Sequence, residues 1–481
     1  MLVQMGIALF LTPYILKFVD KEQYGAYSLA LSSIQFLTLF NFGFGGALGI
    51  LVARNTKNKE LVSSYSSIVQ TFQLFLGAVG VLFGIYAGLN FSDYFEIQAQ
   101  NDESLKVVMI IFSISFFVTM MNQVYSTLLV SYRQIALDNK IGIFTNLLGS
   151  ASIIAFLEFG TGVIGLSLSL LLAQILTFVI SYIRVKRSLP DIHVQMFRIR
   201  MKDLKELYKV GLWIFVGSMS VFLIEKFDQI VVGKIISLEM VSILVVTSKT
   251  FELARKLIFT ITNNFRPYFG KLLEDKQDDL AKSYYHALRQ LTVAISIVVA
   301  SILILINPYF VDVWVESDFY GGDYVTLFLG LNLIYHAWKL PSRAFLSAHL
   351  IVKEQSLFGI VECTINVLAS IALGKKYGIL GVVAGTFLSG FVLQMIFYGY
   401  LLNIKKLETL GEYISNQSLL LGQLLVFGAV SIGIYMLLPL IENKVLLIPI
   451  FVVMAVMLAG LWYLLNRNQI RTVLSIKSGN L

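Results

Sequence analysis

The chain has 481 residues, 57% of them hydrophobic and only 14% charged, with a formal net charge of +8 and a mean hydropathy of +0.78. That balance excludes an ordinary soluble enzyme, in which about a quarter of residues are charged. Single Cys363 excludes an intramolecular disulfide and fits neither a metal cluster nor a redox pair.

Apolar runs near the length that spans a bilayer as a helix, about 20 residues, follow one another along the chain. They fall at 1-16, 24-52, 62-90, 107-130, 141-158, 162-183, 210-233, 241-263, 290-310, 324-345, 355-374, 379-402, 417-438 and 445-465. The pattern predicts an all-α polytopic membrane protein with 14 transmembrane helices. The first run is short and apolar from Met1, with no basic head and no small-residue cleavage site, so it reads as a spanning helix and not a cleaved signal. Runs one to six hold no Asp, Glu, Lys, Arg or His in their interiors. Charge at membrane depth is concentrated in runs seven, eight, ten and eleven.

With the N-terminus cytoplasmic, the inward segments carry 24 Lys and Arg and the outward ones 7. This positive-inside bias sets the orientation and puts both termini in the cytoplasm. It accounts for the net charge without a nucleic-acid partner. The longest polar interruption is the basic stretch from Arg184 to Lys209, and the largest outward loop, Phe91 to Lys106, is too short for a catalytic domain.

Two landmarks recur. Gly162-Val163-Ile164-Gly165 opens run six, and Gly378-Ile379-Leu380-Gly381 opens run twelve. Lys21-Glu22-Gln23 precedes run two as Leu238-Glu239-Met240 precedes run eight, at almost the same offset. An even number of spans per copy leaves both copies the same way up, related by a pseudo-two-fold axis along the membrane normal. The expected organisation is an N-lobe at 1-187 (helices 1-6), a cytoplasmic basic linker at 188-209, a C-lobe at 210-406 (helices 7-12), and helices 13-14 with a cytoplasmic tail at 407-481.

The embedded charges are the candidate site residues. Run eight places Lys249, Glu252 and Lys256 on one stripe with Arg255 beside it, and run ten repeats the spacing with His336, Lys339 and Arg343. Cations at this depth suit a diphosphate, which Arg grips bidentately and Lys neutralises as a point charge. Lys249, Arg255, Lys256, Lys339 and Arg343 are therefore the expected headgroup-binding set. Glu225 and Asp228 on run seven, with Glu362 on run eleven, are the candidates for ion coupling or a gate, against the plainer reading of salt-bridge partners. Asn122-Gln123, Gln70, Gln73 and Gln174 read first as interhelical glue, with hydrogen bonding to sugars as the alternative. No His sits at zinc-ligand spacing.

The motifs Thr12-Pro13-Tyr14, Glu22-Gln23-Tyr24-Gly25-Ala26-Tyr27-Ser28, Asn41-Phe42-Gly43-Phe44-Gly45 and Asp228-Gln229-Ile230-Val231-Val232-Gly233, with Asn366, Tyr377-Gly378-Ile379-Leu380-Gly381 and Gly385-Thr386, carry a likeness. The chain resembles the polysaccharide-biosynthesis (O-antigen flippase) branch of the multidrug/oligosaccharidyl-lipid/polysaccharide exporter superfamily. The resemblance implies a segment before the first helix, whereas this sequence opens directly on the apolar run from Met1. The resemblance implies a flippase that moves a polyprenyl-diphosphate-linked oligosaccharide across a bacterial inner membrane by alternating access, for O-antigen or capsule-type polysaccharide. It implies membrane lipids, a polysaccharide polymerase and chain-length machinery as partners, with no cofactor beyond a proton or sodium gradient. Two alternatives stand beside it. A cation-coupled drug exporter of the same superfamily would want an acidic N-lobe pocket, and a membrane-embedded glycan polymerase or ligase would want a large catalytic outer loop.

Overall fold

In a computed structural model of the chain, the described residues are 2-37, 41-90, 99-263, 265-349, 351-437 and a few positions between 456 and 467. Long helices account for nearly all of them: α1 (Leu2–Ile15), α2 (Lys21–Phe36), α3 (Phe44–Arg54), α4 (Lys59–Leu89), α5 (Ala99–Ser131), α6 (Ile135–Glu158) and α7 (Gly162–Ser188). They continue as α8 (Met201–Ile235), α9 (Leu238–Asn263), the short α10 (Arg266–Glu274), α11 (Asp278–Trp314), α12 (Asp323–Ala348), α13 (Val352–Ile404) and α14 (Leu410–Leu437). One 3-10 turn, Ser317–Phe319, precedes α12.

Among the described residues eight helices are long and apolar enough to cross a membrane. Because α13 holds runs eleven and twelve, they account for nine of the expected spans. Run one is α1, of 14 residues. Runs eight and ten are α9 and α12, whose polar and charged residues lower their hydropathy. Run fourteen lies largely outside the described residues. Run two, expected as one helix over 24-52, is corrected: α2 ends at Phe36 and α3 begins at Phe44. Gly43 takes φ +70, a conformation that suits glycine, and its N–H donates to Asn41 Oδ1 at 2.8 Å. A Cβ at Gly43 would overlap the Gly211 carbonyl oxygen of α8. Gly43→Ala is therefore expected to cost at least about 2 kcal/mol, from left-handed backbone and overlap together. Thermal unfolding in detergent checks this against Gly142→Ala, where a Cβ meets nothing within 4 Å.

The two recurring glycine motifs do the same work. Gly162 (φ +52) and Gly378 (φ +62) both adopt left-handed backbone at the start of a helix that folds back on the one before. Gly149 meets Ala173 across the first hairpin, and Gly385 meets the Ser370 backbone across the second, whose two arms together make up α13. Small residues let antiparallel helices approach closely within a membrane.

The chain forms two compact units, Met1–Val245 and Val246–Leu481. The boundary falls inside α9, because α8 packs on α2, α3 and α4 and so joins the first unit. The two-lobe division at 187 and 210 rests on the repeat alone. In the first unit Val62, Tyr65, Ile68 and Val69 of α4 pack on Val124, Leu128 and Leu129 of α5. In the second, Val293 and Ile297 of α11 pack with Leu333, Ala337 and Trp338 of α12 and with Leu420 and Phe427 of α14.

After α7 the basic linker docks along α4 as a strap that runs without helix from residue 192 and turns at Met196 and Phe197. The N–H groups of His193, Gln195 and Phe197 donate to Ser63 Oγ (3.1 Å), Ser67 Oγ (2.9 Å) and Thr71 Oγ1 (2.8 Å). Alternate residues of an extended chain advance about 6.6 Å, close to the rise of about 6 Å over four helical residues. A two-residue period therefore matches hydroxyls spaced every four residues on a helix.

Candidate functional site

The second unit gathers most of the expected site residues. On α9, Lys249 and Arg255 are half-buried and Lys256 is exposed. On α12, His336 and Lys339 are buried and Arg343 half-buried. Lys339 stands four residues after Tyr335, so both side chains leave the same helix face. Its Nζ donates to Tyr335 Oη at 2.9 Å and to Glu362 Oε1 at 2.9 Å, while Tyr335 Oη also donates to Glu362 Oε1. Nζ lies 4.6 Å from the Tyr335 ring centroid as well. The structure thus brings together one residue expected to bind the headgroup and one expected to couple an ion. Both side chains are more than nine-tenths buried.

This geometry has a chemical consequence. A buried cation and anion in contact offer no net charge to a ligand, so a diphosphate would reach Lys339 only by displacing Glu362. Protonating Glu362, or moving its helix, would release the cation; Tyr335 is placed to keep hydrogen-bonding either partner. The remaining acids lie elsewhere. Asp228 is half-buried on α8 in the first unit, beside Gln229, whose Oε1 accepts from Ser32 Oγ at 2.6 Å. The Glu225 side chain lies outside the described residues.

A second buried ion pair escapes sequence reasoning. Arg289 on α11 makes a fork to Glu408, Nη1 to Oε2 at 3.1 Å and Nη2 to Oε1 at 2.9 Å. Nη1 also donates to Tyr285 Oη at 2.7 Å, and Asn416 Nδ2 donates to Glu408 Oε1 at 3.1 Å. Neither charged side chain is more than 1% exposed. Arg289 sits one residue before run nine and Glu408 in the connection after run twelve, where charges read as solvated. The one signal available is Tyr285 four residues before Arg289, a face-sharing aromatic that the guanidinium covers at 4.8 Å.

In the first unit a cleft of about 810 Å³ lies between α3 and α5, lined among others by Gly46, Gly49, Ser126, Thr127, Ser131 and Arg133. None of its lining residues is acidic. Hydroxyls and one guanidinium at such a surface can hydrogen-bond sugar hydroxyls and phosphate oxygens. Nearby, Gln73 Nε2 donates to Gln123 Oε1 and ties α4 to α5. Among the described residues no group of three or more His, Cys, Asp and Glu could hold a metal ion.

Solved structures share this fold at low identity. An inward-facing multidrug resistance MATE family transporter of the MOP superfamily is 16% identical with a TM-score of 0.70, covering 84% of this chain and 94% of its own. The lipid II flippase MurJ in an inward closed conformation is also 16% identical at a TM-score of 0.70, covering 97% of this chain and 98% of its own. A MOP superfamily transporter from Pyrococcus furiosus, described by a reversed polarity of its binding pocket, is 15% identical at 0.58, covering 84% and 93%. No curated protein sequence matches the chain. In sequence, residues 1–314 match the polysaccharide biosynthesis protein family. A multi-pass all-helical chain with the MOP superfamily fold, matched over its first 314 residues, is a member of that polysaccharide biosynthesis protein family.

Proposed function

We propose that the protein is a flippase for a polyprenyl-diphosphate-linked oligosaccharide, working by alternating access in a bacterial inner membrane with both termini cytoplasmic. The single observation that carries this reading is the cleft of the first unit, sized for an oligosaccharide, lined by glycine, hydroxyls and Arg133, and without an acid. A cation exporter needs negative charge where its cargo binds, and neither the cleft nor the interiors of runs one to six supply it. That a lipid II flippase shares the fold along nearly the whole chain is in keeping with a lipid-linked cargo.

In this reading the diphosphate takes the second unit's cations Lys249, Arg255, Lys256 and Arg343, with Lys339 released from Glu362 during the cycle. Asp228, Glu225 and Glu362 are the acids through which a proton or sodium gradient would act. The product serves O-antigen or capsule-type polysaccharide, so a polymerase and chain-length machinery are its expected downstream partners.

Translocation of a fluorescent polyprenyl-diphosphate oligosaccharide in proteoliposomes, followed by loss of lectin access to the donor leaflet, tests the reading. Wild type should outpace protein-free vesicles. Arg255→Ala should slow it about tenfold or more, since a hydrogen bond to a charged group is worth about 1.5–3 kcal/mol. Wild-type vesicles no faster than empty ones would end the proposal.

A further inference from the structure

One face of α4 changes character along its length. Ser63, Ser67 and Thr71 occupy its first turns, and the same face continues as Phe75, Leu82 and Tyr86, each more than half exposed. The apolar part is the lipid-facing stripe of a spanning helix. The hydroxyl part is covered by the strap, through its ladder to residues 193, 195 and 197.

What the strap covers on α4 it replaces with an apolar surface of its own. Met196, Phe197, Ile199 and Met201 are 47%, 74%, 49% and 65% exposed. Phe197 holds its place with φ +65, a region that bulky residues rarely occupy. The bond from its N–H to Thr71 therefore fixes a strained, outward-pointing ring. The stretch is also basic, with eight Lys and Arg between 184 and 209 against three acids. Two of those acids are tied to α4: buried Asp203 accepts from Ser64 Oγ, and exposed Glu206 accepts from Tyr65 Oη at 2.6 Å. Arg200 is held by Glu60 at 2.5 Å. The outward surface is thus apolar and flanked by the exposed cations Arg198, Lys202 and Lys205.

We propose that residues 196-205 form an interfacial foot that binds anionic phospholipid, with Met196 and Phe197 at the acyl boundary and Arg198, Lys202 and Lys205 at the headgroup phosphates. Two observations commit the occupant to lipid: the foot continues the lipid-facing stripe of α4, and its charge complements an anionic leaflet. The inference needs only that the chain is embedded in a membrane and is independent of its cargo.

The test places single cysteines at Phe197→Cys or Ile199→Cys in a Cys363→Ala background, carrying an environment-sensitive fluorophore. The full protein is placed in nanodiscs of phosphatidylcholine alone or rich in phosphatidylglycerol. In the anionic discs both labels should shift to the blue and be quenched by doxyl lipid. Adding Arg198→Gln, Lys202→Gln and Lys205→Gln should reduce that quenching at least about twofold, because each basic residue near an anionic surface is worth about fivefold in partition. Arg200 is kept, so its pair with Glu60 still pins the segment. Labels that remain open to aqueous iodide in anionic discs would overturn the proposal. So would quenching that is equal with and without the three cations, the result expected of a foot seated on protein or on lipid without regard to charge.

Discussion

Lys339→Met alone is expected to lower stability by about 3–5 kcal/mol, and Glu362→Met by a similar amount, because each leaves one buried charge without its partner. The double variant should recover most of the loss, since two apolar side chains of similar volume replace a pair that was costly to desolvate. Tyr335→Phe should cost about 1 kcal/mol, the loss of a hydroxyl shared between the two. Thermal unfolding of wild type, the two single variants and the double variant in detergent forms a double-mutant cycle that isolates the coupling. Additive losses would show that the two side chains do not support each other in the folded protein. Translocation gives the second readout. If the pair opens during transport, the double variant melts near wild type and still fails to move its cargo.

The other large effect belongs to Arg289. Arg289→Met leaves the Glu408 carboxylate buried with only neutral partners and is expected to cost about 3–5 kcal/mol. Glu408→Gln should cost less, because the amide oxygen still accepts from the fork. The site sits just ahead of α14, whose start is fixed by a reciprocal box: Thr409 N–H donates to Glu412 Oε2 at 2.9 Å, and Glu412 N–H donates to Thr409 Oγ1 at 3.2 Å. Lys282 Nζ adds an ion pair to Glu412 at 3.0 Å. Breaking the fork should therefore loosen α14 before the rest of the second unit. Hydrogen exchange at residues 410-420 should rise in Arg289→Met while that of α4 and α5 stays as in wild type. Uniform exchange changes across both units would refute this local anchoring.

Much of the architecture was legible because hydropathy and glycine placement report directly on helix length and turn. The hairpins at Gly162 and Gly378 follow from sequence, since left-handed backbone between two apolar runs calls for glycine. The break in run two was not legible. Gly43, Gly45 and Gly46 lie in a continuous apolar run, and helices in membranes commonly tolerate glycine, so nothing local marks where α2 stops. A salt bridge was an open reading for Glu362, but the identity of its partner, and the Arg289–Glu408 pair altogether, were hidden for a different reason. Lys339 and Glu362 stand on separate helices, and Arg289 and Glu408 are 119 residues apart. Periodicity shows which face a residue occupies but not which residue of another helix it meets. The strap was the least visible. A Ser and Thr series at four-residue spacing on an apolar helix has the same appearance whether it meets another helix or an extended chain.

The ladder on α4 also bears on the order in which the protein is made. Ser63, Ser67 and Thr71 each donate to the carbonyl four residues earlier, at 2.7, 2.7 and 2.8 Å, while accepting from a strap amide. When α4 leaves the ribosome its partner amides have not been synthesised, since His193 follows Ser63 by 130 residues. The back-bonded hydroxyls let the helix enter lipid with each of these donors already occupied, and only acceptor lone pairs wait. The strap then arrives with N–H groups that have no helix of their own to bond. Biogenesis is thereby given a direction: the early helix can persist in the bilayer without its late partner, but the late segment cannot settle without the early helix.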